Sequence, residues 1–198
     1  MGSLLRFKLD DFLDRFHLQT FIETGTARGD SLAYAAERQE FSQLLSCEIE
    51  PLLAAGACCR FNEDARIQIM RMESGLFLQM VARADLAPAF FWLDAHYPGA
   101  GFGIKGYEDA MPETVRLPLG RELEQIRRHR HGQDVILIDD LRIYELGDYE
   151  AGPLPPDAPG QPTAGGADWI RAMFAETHLP ITILRDQGYL LLQPKTPA

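Results

Sequence analysis

Acidic side chains and a histidine follow two apolar runs of the sequence. Asp94 and His96 come at the end of one run, and Asp139 and Asp140 close another. If these runs form neighbouring strands about 4.8 Å apart, the three carboxylates converge on one edge of a sheet. Like charges at that distance repel and raise one another's pKa values. A hard divalent cation with oxygen ligands, such as Mg²⁺, would relieve the repulsion. The simpler alternative is that these aspartates only form turns at strand ends.

His96 is the member of this group that exchanges a proton near neutral pH. It can therefore act as a general base towards a bound substrate. Nothing in the sequence pairs with it, so a hydrogen-bonded structural histidine is an equal alternative.

A glycine-containing turn follows the first apolar run, in Glu23-Thr-Gly25-Thr-Ala-Arg-Gly29-Asp-Ser31. Glycines allow a sharp turn and a close approach to a ligand, and the N-terminus of a following helix offers unpaired N–H groups to an anion. The G-x-x-x-G spacing does not meet the dinucleotide fingerprint, and no G-K-[ST] of a P-loop is present. An ordinary strand-to-helix turn is the alternative.

Two acids, Glu48 and Glu50, lie at the end of the second run, about twenty residues further on. A carboxylate at the tip of a second strand can accept hydrogen bonds from both hydroxyls of a ribose. Both acids share one strand face, so spacing does not separate them. A solvated acid before a helix is the alternative for either.

The elements that must position these residues alternate along the chain. The expected strands cover residues 20–26, 42–50, 66–72, 88–94 and 134–140, followed by a hairpin around 186–188. The expected helices cover residues 4–17, 30–40, 75–85, 116–130 and 167–178, with one more opened by Pro51. This order predicts an α/β fold, a doubly wound and mostly parallel sheet that ends in an antiparallel β-hairpin. Ligands of such sheets bind outside the carboxyl ends of the strands.

The length of 198 residues predicts one domain over 1–198, with an N-terminal helix in 1–17. The segment 147–168 is rich in Pro and Gly and is expected to be a loop or lid within that domain. A second glycine-rich loop, 97–106, follows Asp94, and both loops can close over a substrate. Disordered insertions are an equal alternative for both.

Charge and cysteine content exclude several classes of protein. Nineteen basic against 29 acidic residues give a net charge of −10, which argues against nucleic acid and anionic membranes as partners. Three cysteines form no disulfide framework, and the adjacent Cys58 and Cys59 are expected to be buried thiols. Without a signal-peptide pattern or a membrane-spanning run, the expected location is the cytoplasm.

The motifs together resemble those of class I S-adenosylmethionine-dependent methyltransferases. E-T-G-T-A-R-G resembles their first motif, and C-E-I-E-P resembles their ribose-binding second motif. The resemblance implies a Rossmann-like seven-stranded sheet with S-adenosylmethionine as cofactor. It favours Glu48 over Glu50 for the ribose, because the family's acid stands three residues before the proline. The implied cofactor-binding residues are Gly25 and Gly29 (methionine part), Ser31 (its carboxylate), Glu48 (ribose) and Ser74 (adenine), together with Glu23 and Asp94.

The acidic group is similar to that of metal-dependent O-methyltransferases, of the catechol type and the bacterial macrocin type. The resemblance implies Asp94, Asp139 and Asp140 as Mg²⁺ ligands. The expected catalytic residues are Asp94 and, from the chemistry of imidazole, His96. The metal would lower the pKa of a substrate hydroxyl, which would then attack the methyl group in line. His96 stands where the catechol type usually has lysine, so its role departs from that pattern.

The sequence therefore predicts O-methylation that depends on S-adenosylmethionine and is assisted by Mg²⁺. The expected acceptor is a small hydroxylated molecule, such as a sugar unit, a natural product or a phenol. A homodimer is an open possibility. Three alternatives stay open: a metal-free enzyme with His96 as base, an inactive cofactor-binding module, and a nucleotide-dependent Rossmann oxidoreductase. The absent G-x-G-x-x-G and the terminal hairpin count against the last.

Overall fold

A seven-stranded sheet runs through the part of the chain that the computed structural model describes, residues 3–160, 162 and 165–195. Its strands are β1 Thr20–Thr24, β2 Gln43–Glu48, β3 Ile67–Arg71, β4 Ala89–Leu93, β5 Val135–Ile138, β6 His178–Ile183 and β7 Tyr189–Pro194. Their order across the sheet is β3-β2-β1-β4-β5-β7-β6. The first five strands pair in parallel, and β7 pairs antiparallel with both β5 and β6. The predicted doubly wound sheet with a terminal antiparallel hairpin is confirmed.

The helices are α1 Leu9–Phe16, α2 Asp30–Ala36, α3 Pro51–Arg60, α4 Ser74–Val81, α5 Glu113–Arg116, α6 Leu119–His129 and α7 Asp168–Phe174. The helix expected over 116–130 is wrong at its start, because Leu117 leaves the helical region before Pro118 and α6 begins after it. The helix expected over 167–178 is wrong at its end. His178 opens β6 instead, where its Nε2 lies 2.9 Å from the carbonyl oxygen of Asp134.

Both faces of the central strands are buried, because helices cover each side. On β4, Phe90 and Trp92 pack into one apolar cluster while Phe91 and Leu93 pack into the other. Helices α4, α6 and α7 cover the Phe91 side, and α1 and α2 cover the Trp92 side. Truncating a buried phenylalanine such as Phe91 to alanine would cost about 3–5 kcal/mol. The sheet is therefore a rigid platform for the residues at its carboxyl edge.

The expectation of buried thiols at Cys58 and Cys59 is wrong, since both are exposed. Ala54 and Ala57 of α3 face inward instead, which turns the two cysteines towards solvent. No helix among the described residues is long and apolar enough to cross a membrane.

The segment 147–168 lies partly outside the described residues, at positions 161, 163 and 164. Its described part contains neither helix nor strand before Asp168. The backbone N–H groups of Glu150 and Ala151 donate to carbonyl oxygens at Leu184 and Asp186, beside the β6–β7 turn. The start of the segment is thus held against the terminal hairpin.

Candidate functional site

A cleft of about 300 Å³ opens at the carboxyl ends of β1, β2 and β4. Six of the residues predicted from sequence line it, namely Gly25, Glu48, Ser74, Asp94, His96 and Asp140. Four others, Glu23, Gly29, Ser31 and Asp139, are not among the lining residues. The sheet topology explains the convergence, because parallel strands present all their carboxyl ends at one edge.

Gly25 allows the β1 turn to lie directly against the end of β4. Its φ is +83°, and a Cβ atom there would lie 2.4 Å from the backbone oxygen of Asp94. Glycine is required at position 29 for a different reason. Its φ is +80°, and an added Cβ would lie 2.5 Å from Cε2 of Phe61. Gly25 thus shapes the cleft, whereas Gly29 allows close packing where α2 begins.

The structure separates the two acids that spacing left equal. Glu48 lines the cleft, and its two carboxylate oxygens accept the backbone N–H groups of Ala27 and Glu50, each at 2.8 Å. A carboxylate oxygen has two acceptor sites, so each retains one for a ligand. Glu50 is not a lining residue and instead forms an ion pair with Lys105 at 3.0 Å.

Ser74 begins α4 at the cleft wall, while the neighbouring Glu73 caps the helix. The Glu73 carboxylate accepts the N–H groups of Gly75 and Leu76 at 3.1 and 3.2 Å. Because Glu73 satisfies these two N–H groups, the side chain of Ser74 is not required for the cap.

Three side chains form a compact group at the ends of β4 and β5. Asp94, His96 and Asp139 each offer one ligand atom, and these atoms all lie within 4.8 Å of one another. Nδ1 of His96 is 3.5 Å from Oδ1 of Asp94. Both oxygens of Asp139 are buried and have no hydrogen-bond donor among the described residues. The Asp94 carboxyl is a neighbour of Asp139, and it can donate a hydrogen bond to Asp139 only while it is protonated.

Asp140 stands apart from this group. It adopts a left-handed conformation with φ of +46°, and its Oδ1 accepts Nε of Arg142 at 2.9 Å. Its Oδ2 lies 3.6 Å from Nε2 of His96. The side chains of Asp140 and Arg142 are both almost buried, at 3% and 10% exposed. The Arg142 guanidinium thus offsets the charge of Asp140, whereas no cation among the described residues contacts Asp139.

Burial dominates the electrostatics of the group. It raises the pKa of Asp94 well above its usual range, and the charges of Asp139 and Glu23 add to the rise. Burial also raises the pKa of Asp139. It raises the pKa of Glu23 to about 8, against the opposing hydrogen bond from Ser46. The pKa of His96 is lowered by burial, so its ring is neutral near pH 7. Buried acids without a balancing cation are the condition in which a metal ion is stabilising.

Glu122 is a buried acid of α6 that none of the sequence motifs includes. It is 1% exposed, and burial raises its pKa to about 7 although the hydroxyls of Ser74 and Thr24 lower it. The sequence does indicate this burial, because helical spacing places Glu122 on the same buried face as Leu119, Leu123 and Ile126.

The loop 97–106 lies along the rim of the cleft and contacts residues of three other segments. Lys105 pairs with Glu50, and the guanidinium of Arg28 lies 5.2 Å from the ring centroid of Phe102. The hydroxyl of Tyr97 also donates to the carbonyl oxygen of Pro159, which joins this loop to the segment 147–168. Arg28 belongs to the β1 turn and Glu50 follows β2, so the loop bridges two cofactor motifs.

Comparison with solved structures finds this fold in known methyltransferases. The O-methyltransferase TomG from Streptomyces achromogenes, in complex with SAM, is 20% identical at a TM-score of 0.58, over 99% of this chain and 82% of that one. A putative caffeoyl-CoA O-methyltransferase from Staphylococcus aureus is 9% identical at 0.59, over 98% and 85%. An rRNA methylase from Streptococcus thermophilus is 8% identical at 0.58, over 99% of each chain. No family profile and no curated protein matches the sequence.

The chain therefore has the fold of class I S-adenosylmethionine-dependent methyltransferases. The O-methyltransferases among these neighbours agree with the resemblance drawn from the motifs. At 20% identity or less, the likeness identifies the fold and leaves the acceptor to be argued from the site.

Proposed function

We propose that the protein transfers a methyl group from S-adenosylmethionine to a hydroxyl oxygen of a small molecule, such as a sugar unit, a natural product or a phenol. The observation that supports this most is the single cleft that unites Gly25, Glu48 and Ser74 with the group Asp94, His96 and Asp139 beside it. Its volume falls at the lower end of the range typical of ligand pockets.

The cofactor residues have distinct roles in this proposal. Gly25 lets the chain pass close to the methionine part, and the free acceptor sites of Glu48 take the ribose hydroxyls. Ser74 borders the adenine. Glu23 stays behind the cleft as a buried acid that shapes the field at Asp94. Gly29 and Ser31 contribute through the start of α2 rather than through the cleft wall.

The reaction requires an acceptor oxygen whose proton has been released to solvent water. The oxygen forms a bond to the methyl carbon, the carbon–sulfur bond breaks, and its electron pair remains on sulfur. A divalent cation, expected from the sequence to be Mg²⁺, would supply the acidity by binding the hydroxyl. Asp94 and Asp139 would hold it, and the buried oxygens of Asp139 without donors fit that purpose. This supports the metal-assisted version over His96 acting alone as base.

The first test is a calorimetric titration of the folded protein with S-adenosylhomocysteine in the presence of Mg²⁺. We expect micromolar binding, weakened about tenfold or more by Glu48→Gln, which is about 1.4 kcal/mol. Glu40→Gln is the control, since Glu40 is exposed and lies outside the cleft wall. No binding by the folded wild-type protein at millimolar ligand would overturn the proposal and reopen the nucleotide-binding alternative.

Turnover distinguishes an enzyme from an inactive cofactor-binding module. We expect a panel of sugars and phenols to include an acceptor whose methylation stops when a chelator is added. Cofactor binding without turnover on any acceptor would favour the inactive module, and turnover that survives chelation would favour His96 as base.

A further inference from the structure

We propose that the metal site beside the cleft is formed by Asp94, His96 and Asp139, and that it prefers a divalent transition ion such as Mn²⁺, Fe²⁺, Co²⁺ or Zn²⁺ over Mg²⁺. The role of the ion in methyl transfer rests on the proposed function, whereas its binding to these three residues does not. It replaces the ligand set expected from sequence, in which Asp140 was the third ligand.

The geometry selects the ligand set. Ligand atoms of Asp94, His96 and Asp139 lie within 4.8 Å of one another, a spacing that a small closure would bring around one ion. Asp139 supplies an independent sign, because its side chain is buried and both oxygens lack donors. Burying a carboxylate without a partner is destabilising, and a bound cation would remove that destabilisation.

Asp140 already has a cation. Its Oδ1 accepts Nε of Arg142 at 2.9 Å in an almost fully buried ion pair. Recruiting it to a metal would leave the Arg142 guanidinium without its carboxylate, and removing one partner of a buried pair is strongly destabilising. Its left-handed backbone instead marks it as the residue that turns the chain after β5.

The imidazole decides the preference among metals. Carboxylate and water ligands suit Mg²⁺, whereas imidazole suits transition ions. Loss of His96 should therefore weaken a transition ion much more than Mg²⁺. As a ligand, His96 is also not free to act as the general base considered from the sequence.

The test measures metal binding on the cofactor-free protein, so it does not depend on methyl transfer. Mn²⁺ affinity is measured by the electron paramagnetic resonance of free Mn²⁺, and Mg²⁺ affinity by competition. We expect His96→Ala to weaken Mn²⁺ about tenfold or more with less than about threefold change for Mg²⁺. Asp139→Asn should abolish both. Asp140→Asn, which keeps an oxygen for Arg142 and tolerates the left-handed turn, should retain Mn²⁺ binding, with a smaller loss of affinity than Asp139→Asn.

The wild-type protein provides a second measurement that needs no variant. Pulsed electron paramagnetic resonance of bound Mn²⁺ should show coupling to a ligand nitrogen, and His129→Ala, which alters a half-buried histidine of α6 outside the cleft wall, should keep that signal. The proposal would be overturned if bound Mn²⁺ showed no nitrogen coupling or if the folded protein bound no Mn²⁺. It would also be overturned if Asp140→Asn lost Mn²⁺ binding while Asp139→Asn kept it. Titration of the same sample with S-adenosylhomocysteine shows separately whether the cofactor site is intact.

Discussion

Gly25 lies where the β1 turn contacts the backbone at the end of β4, so its replacement tests the shape of the β1 turn. We expect Gly25→Ala to lower the free energy of unfolding by about 1–3 kcal/mol or more, because alanine is strained at φ of +83° and its Cβ would contact Asp94. Urea denaturation measures the change.

The matched control is Gly56→Ala in the exposed middle of α3, where an added Cβ has nothing within 4 Å. Alanine should stabilise that helix by about 0.5–1 kcal/mol. Equal effects at both positions would contradict the close contact between the β1 turn and β4.

Glu23 links the buried acids to the pH dependence of stability. Its pKa in the folded protein is raised to about 8 from an ordinary value of 4.5, so the folded state binds more protons between those values. Stability then falls as pH rises through this window. We expect Glu23→Gln to remove part of that fall, with a larger stability gain at about pH 8 than at about pH 5.

The measurement is urea denaturation at both pH values with chelator present. Glu40→Gln is the control, because Glu40 is exposed and should give no pH-dependent gain. A gain for Glu23→Gln that is the same at both pH values would contradict the raised pKa.

At the scale of elements, the loop 97–106 is expected to retain the cofactor. Lys105→Ala removes its ion pair with Glu50 at the rim of the cleft. We expect S-adenosylhomocysteine to dissociate about two- to tenfold faster, because loops that close over a site control release. Stopped-flow displacement measures the rate.

Lys195→Ala is the control for this effect, since Lys195 donates to the Ala175 carbonyl after α7 and contacts no cleft residue. An unchanged rate in Lys105→Ala would show that the loop does not limit release.

The elements also show what sequence patterns can predict. The five parallel strands and the hairpin follow from apolar runs and turn residues, which are local signals. The end of α7 does not, because His178 enters β6 through its contact with Asp134, 44 residues away. Likewise, the Lys105 contact distinguishes Glu50 from Glu48, and the ion pair with Arg142 distinguishes Asp140 from Asp139. Local patterns predicted where the candidate site lies, while side-chain pairs that they do not show determine which acids are available for ligands.

At the scale of the whole molecule, net charge bears on the choice of acceptor. The chain carries a net charge of −10, although one structural neighbour is an rRNA methylase. Among the residues that the structure describes, the acids Glu48, Glu73, Asp94 and Asp140 line the cleft and no lysine or arginine does. A polyanionic backbone would therefore meet like charge both at long range and at the site. This supports a small acceptor.

We accordingly expect no binding of a structured RNA, measured by fluorescence anisotropy of labelled RNA at low salt with S-adenosylhomocysteine present. Phosphate contacts of a true RNA methylase would give affinity that falls about 10³-fold or more as salt rises from about 50 to 200 mM. Micromolar affinity with that salt dependence would contradict the small-acceptor proposal while leaving the cofactor site unaffected. Affinity that is independent of salt would point to a contact other than the phosphates, and a polyanion such as heparin would serve as competitor to identify it.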